Sequence, residues 1–221
     1  MTMEDPKKTN GLNGKSAPTP PLAPLAEAPA DDAEASFAIE PAPEAVSDLK
    51  AACERFVLAR YRVKLDGTKD TLSILDQYVK DARAEVLAKP ESLLLLQAAI
   101  GAYFGEVVRG EFPATWFAEG DHDGWRLDMT RVFLTFNPIG MAREALTLVD
   151  AEGWHAHIEL DEAEREVVEG RIARLGHVEE EEYYAPTSRF EIIEIAVDAI
   201  RTEMQEQGLS DVTFSREDYR K

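Results

Sequence analysis

A single cysteine, Cys53, leaves this 221-residue chain without the means to close an internal disulfide. Cations are scarce as well: 24 Lys and Arg stand against 43 Asp and Glu, giving a formal charge of -19 and a pI near 4.6. Phosphate backbones are held by clustered Lys and Arg, so this balance argues against a general nucleic-acid binder and equally against an anionic membrane surface. A basic partner or basic peptide is compatible with it, although acidity also serves solubility alone. The opening residues, MTMEDPKKTN, have no apolar core of the secretory kind, which makes the cytoplasm the expected compartment. Also missing are a phosphate-binding glycine loop, a G-x-S-x-G elbow and an H-E-x-x-H pair, and no motif implies a cofactor.

What is present divides the chain. Residues 1–46 hold eight of the twelve prolines, Pro6 through Pro43, and one aromatic, Phe37, too little apolar surface to offset the entropy of ordering. They read as a disordered arm in which Ser36 to Ile39 is a small apolar cluster.

The longest apolar run, Leu93 to Val108, is interrupted only by Gln97, Gly101, Gly105 and Glu106. It falls short of the roughly 20 residues needed to cross a bilayer and is apolar all round, so it reads as a helix enclosed by protein. Pro90 suits its first turn and Gly110 its end. Ala98, Gly101, Ala102 and Gly105 make a ridge of small side chains along which another element can approach closely.

Around this helix the periodicity predicts four or five others. One starts at an N-cap Ser47 and runs to about Arg60 with Leu49, Cys53, Phe56 and Val57 inward, which makes Cys53 a core residue. Tyr61 to Leu65 alternate as a short extended piece. A second helix follows Asp70, with Leu72, Leu75, Val79, Ala82 and Val86 as its stripe. Thr115 to Ala118, Trp125 to Met129 and Val132 to Phe136 read as a three-stranded meander, after which Asn137 caps a helix beginning at Pro138. Asp161 with Glu164, and Ser188 with Glu191, read as capping boxes for two further helices. The second of these carries Phe190, Ile193, Val197, Ile200 and Met204. Residues 209–221 are polar and read as a loose tail. The predicted class is α+β: about five helices packed on a small three-stranded antiparallel sheet, as one domain over residues 47–208.

The combination of DTLSILDQYV, LLLLQAAIGAYFGEVV, Trp116 and FNPIGMAREAL resembles a group of uncharacterised bacterial domains of unknown function. Members are similar in having a Ser-Leu-x-x-Leu-Asp helix, a GAYxGE helix and a small sheet whose last strand runs through a proline into a helix. The resemblance covers about residues 68–205. It implies a fold and a bacterial origin, and it carries no catalytic residues.

Four places carry residues with chemical potential. His155, His157 and Glu159 would project from one face of a strand, and two imidazoles with a carboxylate are a known metal-site composition. The competing reading puts Trp154, Ala156, Ile158 and Leu160 in the core and the polar three in water. Asp121, His122 and Asp123 could hold a divalent ion, or form a solvated hairpin loop. Glu106, beside the apolar helix, is a proton-donor candidate if desolvated, or an ion-pair partner of Arg109. Glu179, Glu180, Glu181 and Glu182 with Tyr183 and Tyr184 combine steering charge with contact area for a protein partner. The expected function is a non-enzymatic cytoplasmic interaction or regulatory protein that binds another, possibly basic, protein through an acidic surface. The alternative is a small metal-dependent hydrolase using His155, His157 and Glu159. No residue pattern sets the oligomeric state.

Overall fold

In the computed structural model the described residues are 40–176 and 178–220. The arm up to residue 39, its Ser36 to Ile39 cluster and His177 lie outside them. Among the described residues there are seven α-helices and one four-stranded antiparallel sheet, an α+β architecture.

The apolar stripes read from the sequence are the packing faces. Helix α1 (Glu44–Tyr61) buries Cys53 and Val57, and α2 (Leu72–Ala88) buries Leu72, Leu75, Val79, Ala82 and Val86. Between them and the rest lies α3 (Leu93–Glu111), whose residues from Leu96 to Val108 are buried except Glu106. With its leading 3₁₀ turn this helix runs 22 residues, long and apolar enough by length and composition to cross a bilayer, and 67% of its apolar window is buried by the surrounding protein. The two glycines explain how closely it is enclosed. A Cβ added at Gly101 would fall 2.4 Å from the Ile139 Cα, and one at Gly105 would fall 2.3 Å from the Trp116 ring. Only hydrogen fits at either position.

Strands β1 (Ala114–Phe117), β2 (Arg126–Met129) and β3 (Leu134–Phe136) form the expected meander, in a register that sets Trp116 opposite Leu127 and Leu127 opposite Phe136. A fourth strand joins them. Within the segment Trp154 to Leu160 only β4 (Glu159–Leu160) pairs, with Leu160 opposite Leu134. Helix α4 (Pro138–Thr147) leaves β3 through Asn137, whose Oδ1 accepts the Ile139 and Gly140 N–H groups at 2.9 and 3.1 Å. The Asn137 amide also donates to the His122 and Asp123 carbonyls, which ties down the loop before β2. The chain closes with α5 (Glu162–Ile172), the one-turn α6 (Glu180–Tyr183) and α7 (Pro186–Glu206). On α7, Phe190, Ile193, Val197, Ile200 and Met204 are all buried, each side chain contributing about 1.5–3 kcal/mol of transfer free energy.

Local signals were overruled in five places. Helix α1 starts at Glu44, so Ser47 lies inside it and its hydroxyl bonds back to the Pro43 carbonyl. Tyr61 to Leu65 pairs with no strand, although Leu65 is fully buried. Helix α7 starts at Pro186, two residues before the expected cap Ser188, because proline suits the first helical turn. Its cap comes from another helix: Asp76 of α2 accepts the Thr187 N–H at 3.0 Å and the Thr187 hydroxyl at 2.5 Å. At α5, Asp161 accepts the Ala163 N–H at 3.4 Å, while Oε2 of Glu164 is buried with no partner among the described residues, leaving the capping box half made. The C-terminal residues are not loose. The Phe214 N–H donates to Thr130 O at 2.9 Å, and the buried Tyr219 hydroxyl donates towards Met129 O at 2.7 Å and accepts the Leu134 N–H at 3.1 Å. Two aromatic rings in a polar segment pack on Phe133, Tyr219 stacked and Phe214 edge-on, and supply the anchorage that the composition of the tail concealed.

Candidate functional site around Glu144

Helix α4 carries Glu144 on the same face as Met141, three residues before it, and Leu148, four after, so the carboxylate is directed inward. It is 1% exposed. Helix α4 ends at Leu148 in the left-handed conformation (φ 54°), which reverses the chain and lays residues 149–158 back over the helix. The Ala151 N–H then donates to Glu144 Oε1 at 3.0 Å, and His157 Nε2 comes within 3.6 Å of the same oxygen. From the opposite side Arg189, one turn into α7 and itself buried, donates to Glu144 Oε2 at 2.6 Å. The Arg189 guanidinium lies 4.2 Å from the Tyr183 ring centre and 5.3 Å from that of Tyr184.

Asp150 completes the cluster. It accepts the Tyr184 hydroxyl at 2.6 Å, and this bond, with burial, pushes the Tyr184 phenol up to about 12. The Tyr183 hydroxyl stands 3.5 Å from His157 Nδ1. One ligand atom each from Glu144, Asp150 and His157 lies within 4.8 Å of the others, and this is the one such metal-competent group among the described residues. Two carboxylates and an imidazole fit a divalent cation in composition. The oxygens are already engaged, however: Arg189 and the Ala151 N–H hold Glu144, and Tyr184 holds Asp150. A fixed guanidinium in contact with the central ligand opposes a second cation there. The arrangement is a brace that joins α4, the loop after it, α6 and α7.

The proposed trio His155, His157 and Glu159 does not assemble. Burial does alternate as the amphipathic reading requires, with Ala156 buried and all three polar residues exposed. Only two residues pair as strand, and the three polar side chains do not share one site: His155, at φ 50°, bonds Glu159 at 2.5 Å, whereas His157 turns to Glu144. The acidic loop is largely occupied as well. Glu181 is held by Arg83 at 2.6 Å and Lys80 at 3.7 Å, Tyr184 is buried and Tyr183 half-buried, while Glu179 and Glu182 are exposed and Glu180 lies in α6.

Glu106 is engaged as the ion-pair partner of Arg109. Burial pushes its carboxyl up, but Arg109 in two bonds of 2.7 and 2.9 Å and the Trp116 indole N–H at 2.8 Å outweigh this and hold it below the usual carboxylate range. Cys53 is likewise inert, since burial pushes its thiol far up. Asp121, His122 and Asp123 remain a braced surface loop in which His122 packs edge-on against Trp125.

Sequence reasoning missed Glu144, Asp150 and Arg189. The stripe positions of Glu144 beside Met141, and of Arg189 four residues before Ile193, were the available signals, because two opposite charges on core faces imply each other. No protein-family model, curated protein or solved structure matches the chain.

Proposed function

We propose that the chain is a non-enzymatic protein that binds another protein through an acidic surface, and that its docking face is the groove where α1, α2 and α3 diverge. The observation that carries this reading is the groove itself, about 690 Å³, with Phe56, Tyr78 and Leu96 beneath and Asp81 and Glu85 along its wall. Leu95 on its lip is 53% exposed, and Leu87 and Leu94 near the α2–α3 connection are more exposed still. Large apolar side chains gathered beside a concavity are the usual mark of a contact site. The exposed Glu179 and Glu182 add steering charge rather than contact area, since the tyrosines beside them face inward.

Affinity capture on the full chain, with charge reversal at Glu85 compared with reversal at Glu179 and Glu182, tests this reading. Loss of a discrete partner with the first and a smaller loss with the second is the expected result. A partner set unchanged by either reversal would overturn it.

A metal-dependent hydrolase is the second reading, moved from the histidine trio to Glu144, Asp150 and His157: one ligand atom of each lies within 4.8 Å of the others, but a cation there would have to displace Arg189 from Glu144. Metal analysis of the purified protein separates the two. Stoichiometric zinc or manganese that disappears in His157→Ala would replace the binding reading with the enzymatic one.

A further inference from the structure

We infer that the occupant of the α1–α2–α3 groove is one face of a cationic amphipathic helix; this deepens the binding reading above and rests on it. Each wall is helical, so no strand edge is offered for β-augmentation. On α2 the groove is lined by Tyr78, Asp81, Ala82, Ala84 and Glu85, and apart from Ala84 these stand on one face, with Asp81 and Ala82 three and four residues after Tyr78 and Glu85 four and three after them. Such spacing forms the ridges that a packed helix fits between. Tyr78 and Glu85 are separated by seven steps of about 1.5 Å each, so the groove accommodates roughly two turns of a partner.

Small side chains set its depth. Ala59 on α1 and Ala82 on α2 both end at Cβ and leave room for close approach of a backbone, as Gly101 and Gly105 do where α4 and Trp116 sit against α3. Apolar anchors of the incoming helix would reach Phe56 and Leu96 between them.

Charge selects the sign of the partner. Arg60, the one cation lining the groove among the described residues, is held by Asp81 at 3.3 Å. Glu85 is exposed and forms no ion pair among the described residues, so the groove presents an uncompensated acid beside its apolar surface. The chain's formal charge of -19 attracts a cation from a distance and repels a second copy of itself.

The test is a titration of the full chain with a labelled model helix built of Leu and Lys, followed by fluorescence anisotropy at low and high salt. A Leu/Glu helix of the same pattern and a scrambled Leu/Lys peptide serve as comparisons. Leu95→Asp and Ala59→Leu change exposed side chains, and circular dichroism checks that both variants keep the fold. Each is expected to weaken binding of the Leu/Lys helix about tenfold. Glu85→Lys is expected to weaken it severalfold and flatten its salt dependence, whereas Glu206→Lys at the far end of α7 leaves it unchanged. Equal binding of the Leu/Glu helix, or Leu/Lys binding indifferent to Leu95→Asp, would overturn the inference. So would a wild-type dimer in sedimentation that Leu95→Asp separates, because the occupant would then be a second copy. If no model helix binds while Leu95→Asp still removes a partner captured from cells, the helix chemistry is wrong and the binding reading stands.

Discussion

Gly101 has no side chain and Ala59 only a methyl, yet the space at Gly101 is filled by the backbone of Ile139 and the space beside Ala59 opens into a groove of about 690 Å³. In the first case the sequence carries its own partner, since the Asn137 cap and Pro138 direct α4 onto the glycine ridge. In the second no described element approaches. Small residues at helical spacing therefore mark a place of close approach without saying whether the approaching element belongs to the same chain.

The contrast can be broken from the filled side first. Glu144→Ala leaves Arg189 buried without its carboxylate and is expected to cost about 3–5 kcal/mol in chemical denaturation. Replacing both residues by Leu and Met should recover much of that loss, and a double variant as unstable as the single one would show that the brace does more than neutralise charge. Gly101→Ala comes next. Overpacking against Ile139 is expected to cost about 1–3 kcal/mol even though alanine is the better helix former by about 1 kcal/mol, and a neutral result would mean the seam is loose. On the open side Ala59→Leu should change stability by no more than about 0.5 kcal/mol. A cost equal to that at Gly101 would erase the distinction between seam and groove.

A pH-dependent effect concerns two carboxylates that titrate in opposite directions. Burial pushes Glu164 up to about 7, with Asp161 adding to the rise, so its folded-state pKa lies above the unfolded one. Stability is thus lost as pH rises from about 4.5 towards 7. Glu164→Gln should remove that decline and raise the melting temperature at pH 8, and an unchanged pH profile would count against the buried carboxyl. Glu106, held below its usual range, contributes the reverse: stabilisation present above about pH 4.5 and lost as pH falls through its lower folded value. Glu106→Gln should flatten the acid limb.

Period and caps made much of this fold legible. The stripes of α2 and α7, the enclosed character of α3, the meander and the Asn137–Pro138 helix start are local patterns, and the chain follows them. What escaped was set by partners distant in sequence. Residue composition around Tyr219 says nothing of the β2–β3 carbonyls that receive its hydroxyl, and the Ser188–Glu191 pattern is a plausible cap displaced by a proline and by a carboxylate on α2. The candidate site escaped for the same reason: Glu144 and Arg189 lie 45 residues apart, and each is a polar misfit in an apolar stripe until the other is placed beside it. Of His155, His157 and Glu159 the first and last meet while His157 turns to Glu144, because period-2 spacing places side chains on one side without making all of them converge.

The bond from Thr187 to Asp76 ties the start of α7 to a side chain 111 residues earlier. Until α2 docks, the Thr187 N–H at the start of α7 has only water to bond, so this turn of α7 is expected to gain its protein partner when the two helices meet. The Thr187 amide becomes a reporter of that order: its hydrogen exchange should slow only when the two helices have met, and in the native protein it should open together with α2 rather than with the fraying end of α7.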